Sequence, residues 1–242
     1  MLQYVGMSNF LSDFFFPRYC NICGKKGDYL CNLCKKLFKR NLPECYTCRR
    51  LSSDFNSHSS CKSKKSLYRI FVCWEYNRNT SNILKKLKYK YVTDTSETLF
   101  TFFLELLTIS CFKKHLKGTL LIPVPLSNNR FRERGFNQSE LLARYISKNL
   151  NIDIDNDLIF RSIDSKHQAS KNKDERKYIN SDSFKLIGKR NLNHYKSITI
   201  VDDVITTGST LEAIASCIRG RYPDITIQGL CMFRGRAKYS FS

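Results

Sequence analysis

The sequence has no apolar run long enough to cross a membrane. Its longest apolar stretch, residues 99–112, is interrupted by Glu105 and is shorter than the roughly 20 residues that a transmembrane helix needs. The apolar N-terminal residues 10–16 lack the basic leader and the small-residue cleavage site of a secretory signal peptide. We therefore expect a cytoplasmic protein without a membrane span.

Acidic residues are scarce. The 242 residues include 21 Asp and Glu against 41 Lys and Arg, so the formal net charge is +20. Basic residues cluster at positions 35–40, 62–65 and 85–91, a pattern typical of proteins that bind the phosphate backbone of nucleic acids. A lysine-rich proteome would explain the same charge, so both interpretations stay open. The 42% of hydrophobic residues indicates a folded chain with room for one sizeable domain and a small appendage.

The spacing of the cysteines is unusual. Seven of the eleven lie in the first 61 residues, and six of these form pairs separated by two residues. Such spacing lets one tight turn aim both sulfurs at a tetrahedral ion, so the pattern predicts zinc rather than disulfides. We predict a zinc-ribbon head over residues 1–66. Its two sites have the expected ligands Cys20, Cys23, Cys31 and Cys34 for the first, and Cys45, Cys48, His58 and Cys61 for the second.

Two alternatives remain for these ligands. The pairs can be interleaved between the sites. His58 can also be a solvated histidine of the polar stretch 52–60, in which case the second site would be degenerate and empty. The remaining cysteines lie in apolar contexts and are expected to be buried without a chemical role: Cys73, Cys111, Cys217 and Cys231.

Residues 198–210 combine an apolar run, two acidic residues and a hydroxyl-rich turn around Gly208. The apolar run predicts a buried parallel strand, and residues 211–218 have apolar side chains at helical spacing. Ligands bind at the carboxyl edge of open α/β sheets, where the following helix offers N–H donors to a phosphate. Asp202 and Asp203 only accept hydrogen bonds, so a ribose diol or a metal is their expected partner. The segment therefore predicts a ribose 5-phosphate site, the alternative being an acidic pair that merely caps the helix.

A second informative patch follows residues 120–125, which predict a strand ended by two prolines. Arg130, Arg132 and Arg134 occupy alternate positions and cannot share one face of a helix. In a basic loop they can gather around a polyanion, each with bidentate donors. Gly135 and the start of a helix expected near residues 139–150 would add backbone donors. The patch therefore predicts a polyanion-binding loop.

Residues 201–210 resemble the motif with which type I phosphoribosyltransferases bind 5-phosphoribosyl-1-pyrophosphate (PRPP). With the cysteine pairs, the segments 84–89, 123–125 and 130–138, and the spaced residues Gln168, Arg176, Asn180 and Phe184, most of the chain resembles the ComF family of competence-associated proteins. The resemblance implies an α/β fold over residues 67–242. This domain would have a mostly parallel sheet flanked by helices, as in type I phosphoribosyltransferases, behind the zinc-ribbon head.

The resemblance also implies a role for each motif. Asp202 and Asp203 would be catalytic residues that bind the ribose hydroxyls. Pyrophosphate would be bound by Arg130, Arg132 and Arg134 with Lys88, and by Mg²⁺ held largely through substrate oxygens. Gln168 and Arg176 would belong to a lid within residues 161–183. The residues that would contact PRPP in the turn are Val204, Ile205, Thr206, Thr207, Gly208, Ser209 and Thr210.

Three functions fit this set of residues. We favour a PRPP-binding protein that takes up or handles single-stranded DNA in natural transformation. The second is an active phosphoribosyltransferase that acts on a small base. Phe233 and Arg234 are the candidate contacts to that base, although their position at the end of a core strand explains them as well. The third is a PRPP-sensing adaptor whose zinc ribbons dock competence or DNA-processing proteins.

Overall fold

The computed structural model describes residues 17–62, 67–89, 93–162, 183–187 and 190–235. The chain divides into two compact units, the first made of Met1–Lys39 with Asn77–Phe102 and the second of Arg40–Tyr76 with Phe103–Ser242. The first cysteine group belongs to the first unit and the second group to the second unit. The division of the chain at residue 66 stays a prediction.

The described part of the chain contains both helices and strands. The elements are α1 (Asn32–Lys35), α2 (Ser59–Lys62), β1 (Arg69–Glu75), α3 (Arg78–Tyr89), α4 (Thr93–Ile109), β2 (Thr119–Pro123), α5 (Asn128–Arg134), α6 (Gln138–Leu150), β3 (Ile159–Arg161), β4 (Phe184–Leu186), β5 (Ser197–Ile205), α7 (Ser209–Arg219) and β6 (Thr226–Arg234). The described residues also include the 3₁₀ helices Ser53–Phe55 and Cys111–Leu116. Within the described residues, no helix is both long enough and apolar enough to span a membrane.

The first unit has a small core built on its two longer helices. Asn77 caps α3, since its Oδ1 accepts hydrogen bonds from the N–H groups of Asn79 and Thr80 at 2.9 and 3.0 Å. Phe38 meets the ring of Phe102 edge-on, with centroids 5.4 Å apart. The buried side chains of this unit also include Leu30 and Ile83, and a metal bound by its cysteines would add to its stability.

The second unit is an α/β fold around a four-stranded parallel sheet in the order β1-β6-β5-β2. The predicted fold class is confirmed: a central parallel sheet is flanked by helices, and a cysteine-rich region precedes it. Its middle strands are almost continuously buried, as expected for a sheet covered on both faces. A short antiparallel pair, β3 with β4, lies outside the main sheet.

Helix α7 packs closely onto the sheet because β6 carries a glycine at the contact. A Cβ atom added at Gly229 would lie 2.6 Å from Cδ2 of Leu211 and 3.1 Å from Cγ1 of Ile70. Any side chain there would push the helix away from the strands. The apolar residues of α7, including Leu211 and Ile214, share one core cluster with Ile70, Leu120 and others of the strands. The helix that follows β5 is therefore fixed in position over the sheet.

The segment with three arginines is a helix, so the predicted basic loop is wrong. Oγ of Ser127 accepts the N–H of Arg130 at 3.4 Å and starts α5, and Gly135, at φ 74°, ends it. Successive helical residues are about 100° apart, so Arg130 and Arg134 share one side and Arg132 lies on another. A helix of two turns fits between the Ser127 cap and Gly135. The prediction of a loop relied on the alternate spacing of the arginines, which does not prevent this helix from forming.

The position of helix α6 agrees with the prediction, whereas the predicted burial of the cysteines is only partly correct. The helix runs over Gln138–Leu150, close to the predicted bounds of 139–150. Cys231 is fully buried as predicted, whereas Cys73 and Cys217 are only partly buried. The side chain of Cys111 lies outside the described residues.

Candidate functional site and metal centres

The acidic pair lies at the carboxyl end of β5. Asp202 and Asp203 still belong to the strand, and Asp202 is in register with Cys231 of β6. Oδ1 of Asp202 accepts two hydrogen bonds, one from the hydroxyl of Ser139 at 2.7 Å and one from the N–H of Asp203 at 2.9 Å. Ser139 stands in the first turn of α6, so the pair is held between a strand end and a helix start.

The two carboxylates have different electrostatic environments. Burial and the charge of Asp203 raise the pKa of Asp202 to about 7, although the hydrogen bond from Ser139 opposes this rise. Two carboxylates in one site do not both ionise readily, because their charges repel. Near neutral pH Asp202 therefore retains a proton for part of the time and can then donate to a hydroxyl group as well as accept from one.

The turn after β5 offers donors to an anion. Gly208 is left-handed, with φ 86°, and is the N-cap of α7. Thr206 and Thr207 are exposed, and the N–H of Ser209 donates to Oγ1 of Thr207 at 3.3 Å. A turn of this kind at the start of an eleven-residue helix brings backbone donors and hydroxyl groups together beside the positive end of the helix dipole. The geometry is suitable for a phosphate.

The loop that leads from β2 to α6 reaches the same edge of the sheet. The N–H of Val124 donates to the carbonyl of Val201 at 2.9 Å, and Nδ2 of Asn137 donates to the carbonyl of Val124 at 2.9 Å. Asn137 also caps α6 by accepting the N–H of Ser139. Helix α5 lies between these two anchors in the chain, with Arg130 and Arg132 exposed and Arg134 partly buried.

The first cysteine group is a candidate metal centre. The Sγ atoms of its four members, Cys20, Cys23, Cys31 and Cys34, all lie within 4.8 Å of one another. Cys23 and Cys31 have their sulfurs 3.8 Å apart, which matches the edge of a tetrahedron with metal–sulfur bonds of about 2.3 Å. Burial alone would raise the pKa of Cys20, but hydrogen bonds from backbone N–H groups, including that of Cys31, lower it to about 6. The donor set fits Zn²⁺.

The second group includes the histidine. The candidate ligand atoms of Cys45, Cys48, His58 and Cys61 also lie within 4.8 Å of one another. Nδ1 of His58 is 3.3 Å from Sγ of Cys48, and Nε2 is 3.1 Å from the carbonyl oxygen of Leu51. A carbonyl only accepts, so Nε2 carries the proton and Nδ1 is the free ligand atom. Both clusters could therefore hold a metal ion, with the grouping preferred from the sequence.

Comparison with known proteins extends over most of the chain. No protein-family model matches the sequence. The chain is 29% identical to Competence protein F of Haemophilus influenzae over 195 residues, which are 78% of this chain and 84% of that protein. It is 27% identical to Competence protein ComFC of Bacillus subtilis over 82% of this chain and 87% of that protein. The DNA utilization protein YhgH of Shigella flexneri is 27% identical over 85% of this chain and 90% of its own length.

These similarities to competence and DNA utilization proteins support the resemblance to the ComF family. The side chains of three residues that the resemblance marks lie outside the described part of the structure. Gln168 and Arg176 lie outside the described residues, and of Lys88 the structure describes only the helical backbone in α3. Their roles stay predictions.

Two contacts of the candidate site were not predicted from the sequence. Ser139 contacts Asp202 from 63 positions away, and Arg49, next to Cys48 of the second cysteine group, donates to the carbonyl of Thr206 at 3.2 Å. Asn137, two residues before Ser139, is a residue type that favours a helix N-cap. The sequence carries no signal for the contact between Arg49 and Thr206. Long-range contacts of this kind depend on the packing of the whole unit.

A basic cavity of about 830 Å³ lies at the amino ends of the strands, beside Thr119 at the start of β2. Lys113, Lys114 and Lys117 line it together with His194 and Tyr195. Lys114 pairs with Asp54 at 3.1 Å, while Lys113 and Lys117 are exposed. The rings of His194 and Tyr195 have centroids 3.9 Å apart. The protein therefore presents charge and aromatic surface at the sheet edge opposite to Asp202.

Proposed function

We propose that this protein binds PRPP at the carboxyl edge of its sheet and handles single-stranded DNA in the cytoplasm during natural transformation. The observation that carries the first part is the acidic pair on β5, with the left-handed Gly208 five residues after Asp203 at the start of α7. The names of its relatives, competence proteins and DNA utilization proteins, support the second part.

PRPP carries three kinds of group, and each has a fitting partner. Asp202 and Asp203 accept hydrogen bonds from the ribose hydroxyls, and the turn 206–210 donates to the 5-phosphate. Arg130 and Arg134, which share one side of α5, bind the pyrophosphate. The roles that the family resemblance implies for Lys88, Gln168 and Arg176 stay predictions. Mg²⁺ arrives with the ligand rather than on a dedicated set of protein oxygens.

The two cysteine groups hold structural zinc. Their eight ligands form one Cys₄ and one Cys₃His set, and each set is closed, with four protein ligands and no open position for a substrate. The metal ions therefore stabilise the fold around them and take no part in chemistry at PRPP.

Single-stranded DNA binds at a different place from PRPP. The excess of basic residues makes its phosphates favourable partners. The basic cavity adds lysines beside the rings of His194 and Tyr195, a combination suited to a backbone with unpaired bases. Because this cavity lies at the amino edge and Asp202 at the carboxyl edge, both ligands can be bound at once.

The burial of two residues counts against turnover on a free base. Phe233 is fully buried and packs on Trp74 with ring centroids 5.4 Å apart. Arg234 is 6% exposed and pairs with Glu44 at 2.9 Å. Neither is available to stack on or hydrogen-bond to a base, so the end of a core strand explains both residues, and binding of PRPP is favoured over its transfer.

The test is a calorimetric titration of Mg·PRPP into the zinc-loaded protein. Wild type should bind, and Asp202→Asn with Asp203→Asn should not, because the hydroxyl acceptors lose their charge. A control with the same charge change, Asp157→Asn with Asp224→Asn, alters two exposed acids away from β5 and should bind as wild type does. Absence of binding to wild type, or equal binding to the first double variant, would overturn the assignment. Repeating the titration with a bound oligonucleotide measures any coupling.

A further inference from the structure

The second cysteine group lies directly on the candidate phosphate turn. Tyr46, between Cys45 and Cys48, is 4% exposed, and a Cβ atom added at Gly208 would lie 3.3 Å from its Cδ2 atom. The hydroxyl of Tyr46 donates to Oε2 of Glu212, in the first turn of α7, at 2.8 Å. One side chain of the cysteine turn therefore supports both the turn and the helix that follows it.

A second side chain of the same cysteine turn holds the backbone. Arg49 has a left-handed backbone, with φ 62°, and its N–H donates to the carbonyl of Cys45 at 2.8 Å. Its Nη2 atom donates to the carbonyl oxygen of Thr206 at 3.2 Å. That carbonyl is thereby turned toward the guanidinium, and the orientation of the peptide between Thr206 and Thr207 is fixed with it.

The cysteine turn is also anchored from β6. Arg234 donates from Nη2 to the carbonyl of Tyr46 at 3.3 Å, and its Nε lies 2.9 Å from Oε1 of Glu44. The N–H of Gly235, the next residue, donates to the carbonyl of Ile205 at 2.7 Å. Residues 44–49 and the turn 206–208 are thus tied to the same strand end, so displacement of one disturbs the other.

We infer that the second cysteine group is a positioning element of the phosphate turn, with Tyr46 and Arg49 as its positioning residues. Neither residue needs to touch the ligand. A metal ion on Cys45, Cys48, His58 and Cys61 fixes the cysteine turn, and the cysteine turn fixes residues 206–208 before any anion arrives. This inference rests on the proposed PRPP site. The free-energy cost of ordering the turn then arises during folding, so it does not reduce the affinity for the ligand.

The first cysteine group serves as an internal comparison. It belongs to the other unit of the chain, whereas Tyr46, Arg49, Thr206 and Gly208 all belong to the unit with the sheet. Loss of metal from the second group should therefore loosen the phosphate turn, and loss of metal from the first group should leave the amide protection of that turn unchanged.

The experiment measures amide hydrogen exchange over residues 203–212 in the ligand-free, zinc-loaded full chain. We expect faster exchange there in Arg49→Ala and Tyr46→Phe, because each loses one support of the turn, and slower exchange in Arg49→Lys than in Arg49→Ala. Arg50→Ala is the matched control, since Arg50 is the exposed neighbour of Arg49. Zinc content is measured on every sample, so that loss of metal is not mistaken for loss of a side-chain contact.

The same variants are then titrated with Mg·PRPP. Arg49→Ala should bind roughly three- to tenfold more weakly than wild type, the range expected for one lost hydrogen bond. Unchanged exchange in Arg49→Ala and Tyr46→Phe with full zinc would overturn the inference, whatever the protein binds. Faster exchange in these variants, with no binding of PRPP to wild type, would overturn the proposed function and leave the positioning of the turn established.

Discussion

The hydroxyl of Ser139 donates a 2.7 Å hydrogen bond to Oδ1 of Asp202. This bond joins the first turn of α6 to the end of β5, and it is the main side-chain contact that opposes the rise in the pKa of Asp202 to about 7. Asp203 acts in the opposite direction, because its charge disfavours ionisation of its neighbour. The protonation state of the candidate site is therefore set by a serine, an aspartate and the extent of burial.

The raised pKa makes Asp202 a source of pH-dependent instability. An ordinary aspartate in the unfolded chain titrates near 3.8, whereas Asp202 titrates near 7 in the fold. Between these values the folded state binds more protons, so its stability falls as the pH rises through this window and is lowest above it. Asp202→Asn should remove this penalty and stabilise the protein at pH 8 by on the order of 4 kcal/mol.

Chemical denaturation of wild type and Asp202→Asn at pH 6 and pH 8 checks this prediction. The difference in the free energy of unfolding between the two proteins should widen with pH. Asp157→Asn changes an exposed acid and serves as control, since it should show no such widening. A constant difference between pH 6 and pH 8 would contradict the raised pKa.

Gly208 is expected to tolerate no side chain. Its φ of 86° is left-handed, and an added Cβ would lie 3.3 Å from the ring of Tyr46. Gly208→Ala should lower the free energy of unfolding by about 1–2 kcal/mol for the backbone conformation alone, and it should also weaken binding of Mg·PRPP. Gly220→Ala is the control, because Gly220 has φ −58° and its added Cβ would meet no atom closer than 3.6 Å. Thermal unfolding of both variants gives the comparison.

The strand, the turn and the helix of residues 198–219 were predictable because each depends on local sequence. An apolar run, a glycine in a hydroxyl-rich turn and apolar residues at helical spacing specify them without tertiary information. Helix α5 was not predicted, because the alternate spacing of the arginines suggested a loop. Ser127 starts the helix and Gly135 ends it, and these two signals outweigh that spacing. The contact between Tyr46 and Glu212 joins residues 166 positions apart, and no local pattern could have indicated it.

His58 is expected to decide the metal content of the second cysteine group. Its Nδ1 atom faces Sγ of Cys48 and its Nε2–H is held by the carbonyl of Leu51. His58→Ala should reduce the zinc content from two ions per chain to one, whereas His58→Cys should retain two, because a thiolate replaces the imidazole. His194→Ala, at an exposed histidine, is the control. Zinc is measured by atomic emission after gel filtration, and two ions in His58→Ala would contradict the assignment of this ligand.

The lysines of the basic cavity should contribute to the salt dependence of DNA binding. Lys113 and Lys117 are exposed and line the cavity beside His194. If each neutralises one phosphate, then Lys113→Gln with Lys117→Gln should reduce the slope of log affinity against log salt concentration by about 1.4 for a single strand. The measurement is fluorescence anisotropy with a short single-stranded oligonucleotide at several salt concentrations.

The control for this slope changes two exposed basic residues elsewhere on the same unit, Lys185→Gln with Arg221→Gln. If the excess of basic residues acts only as a diffuse field, both double variants lose the same small amount of affinity and their slopes stay equal. If the cavity is the binding site, only the first slope falls, while the affinity of that variant for Mg·PRPP remains that of wild type. That pair of results would assign DNA to the amino edge of the sheet and PRPP to the carboxyl edge.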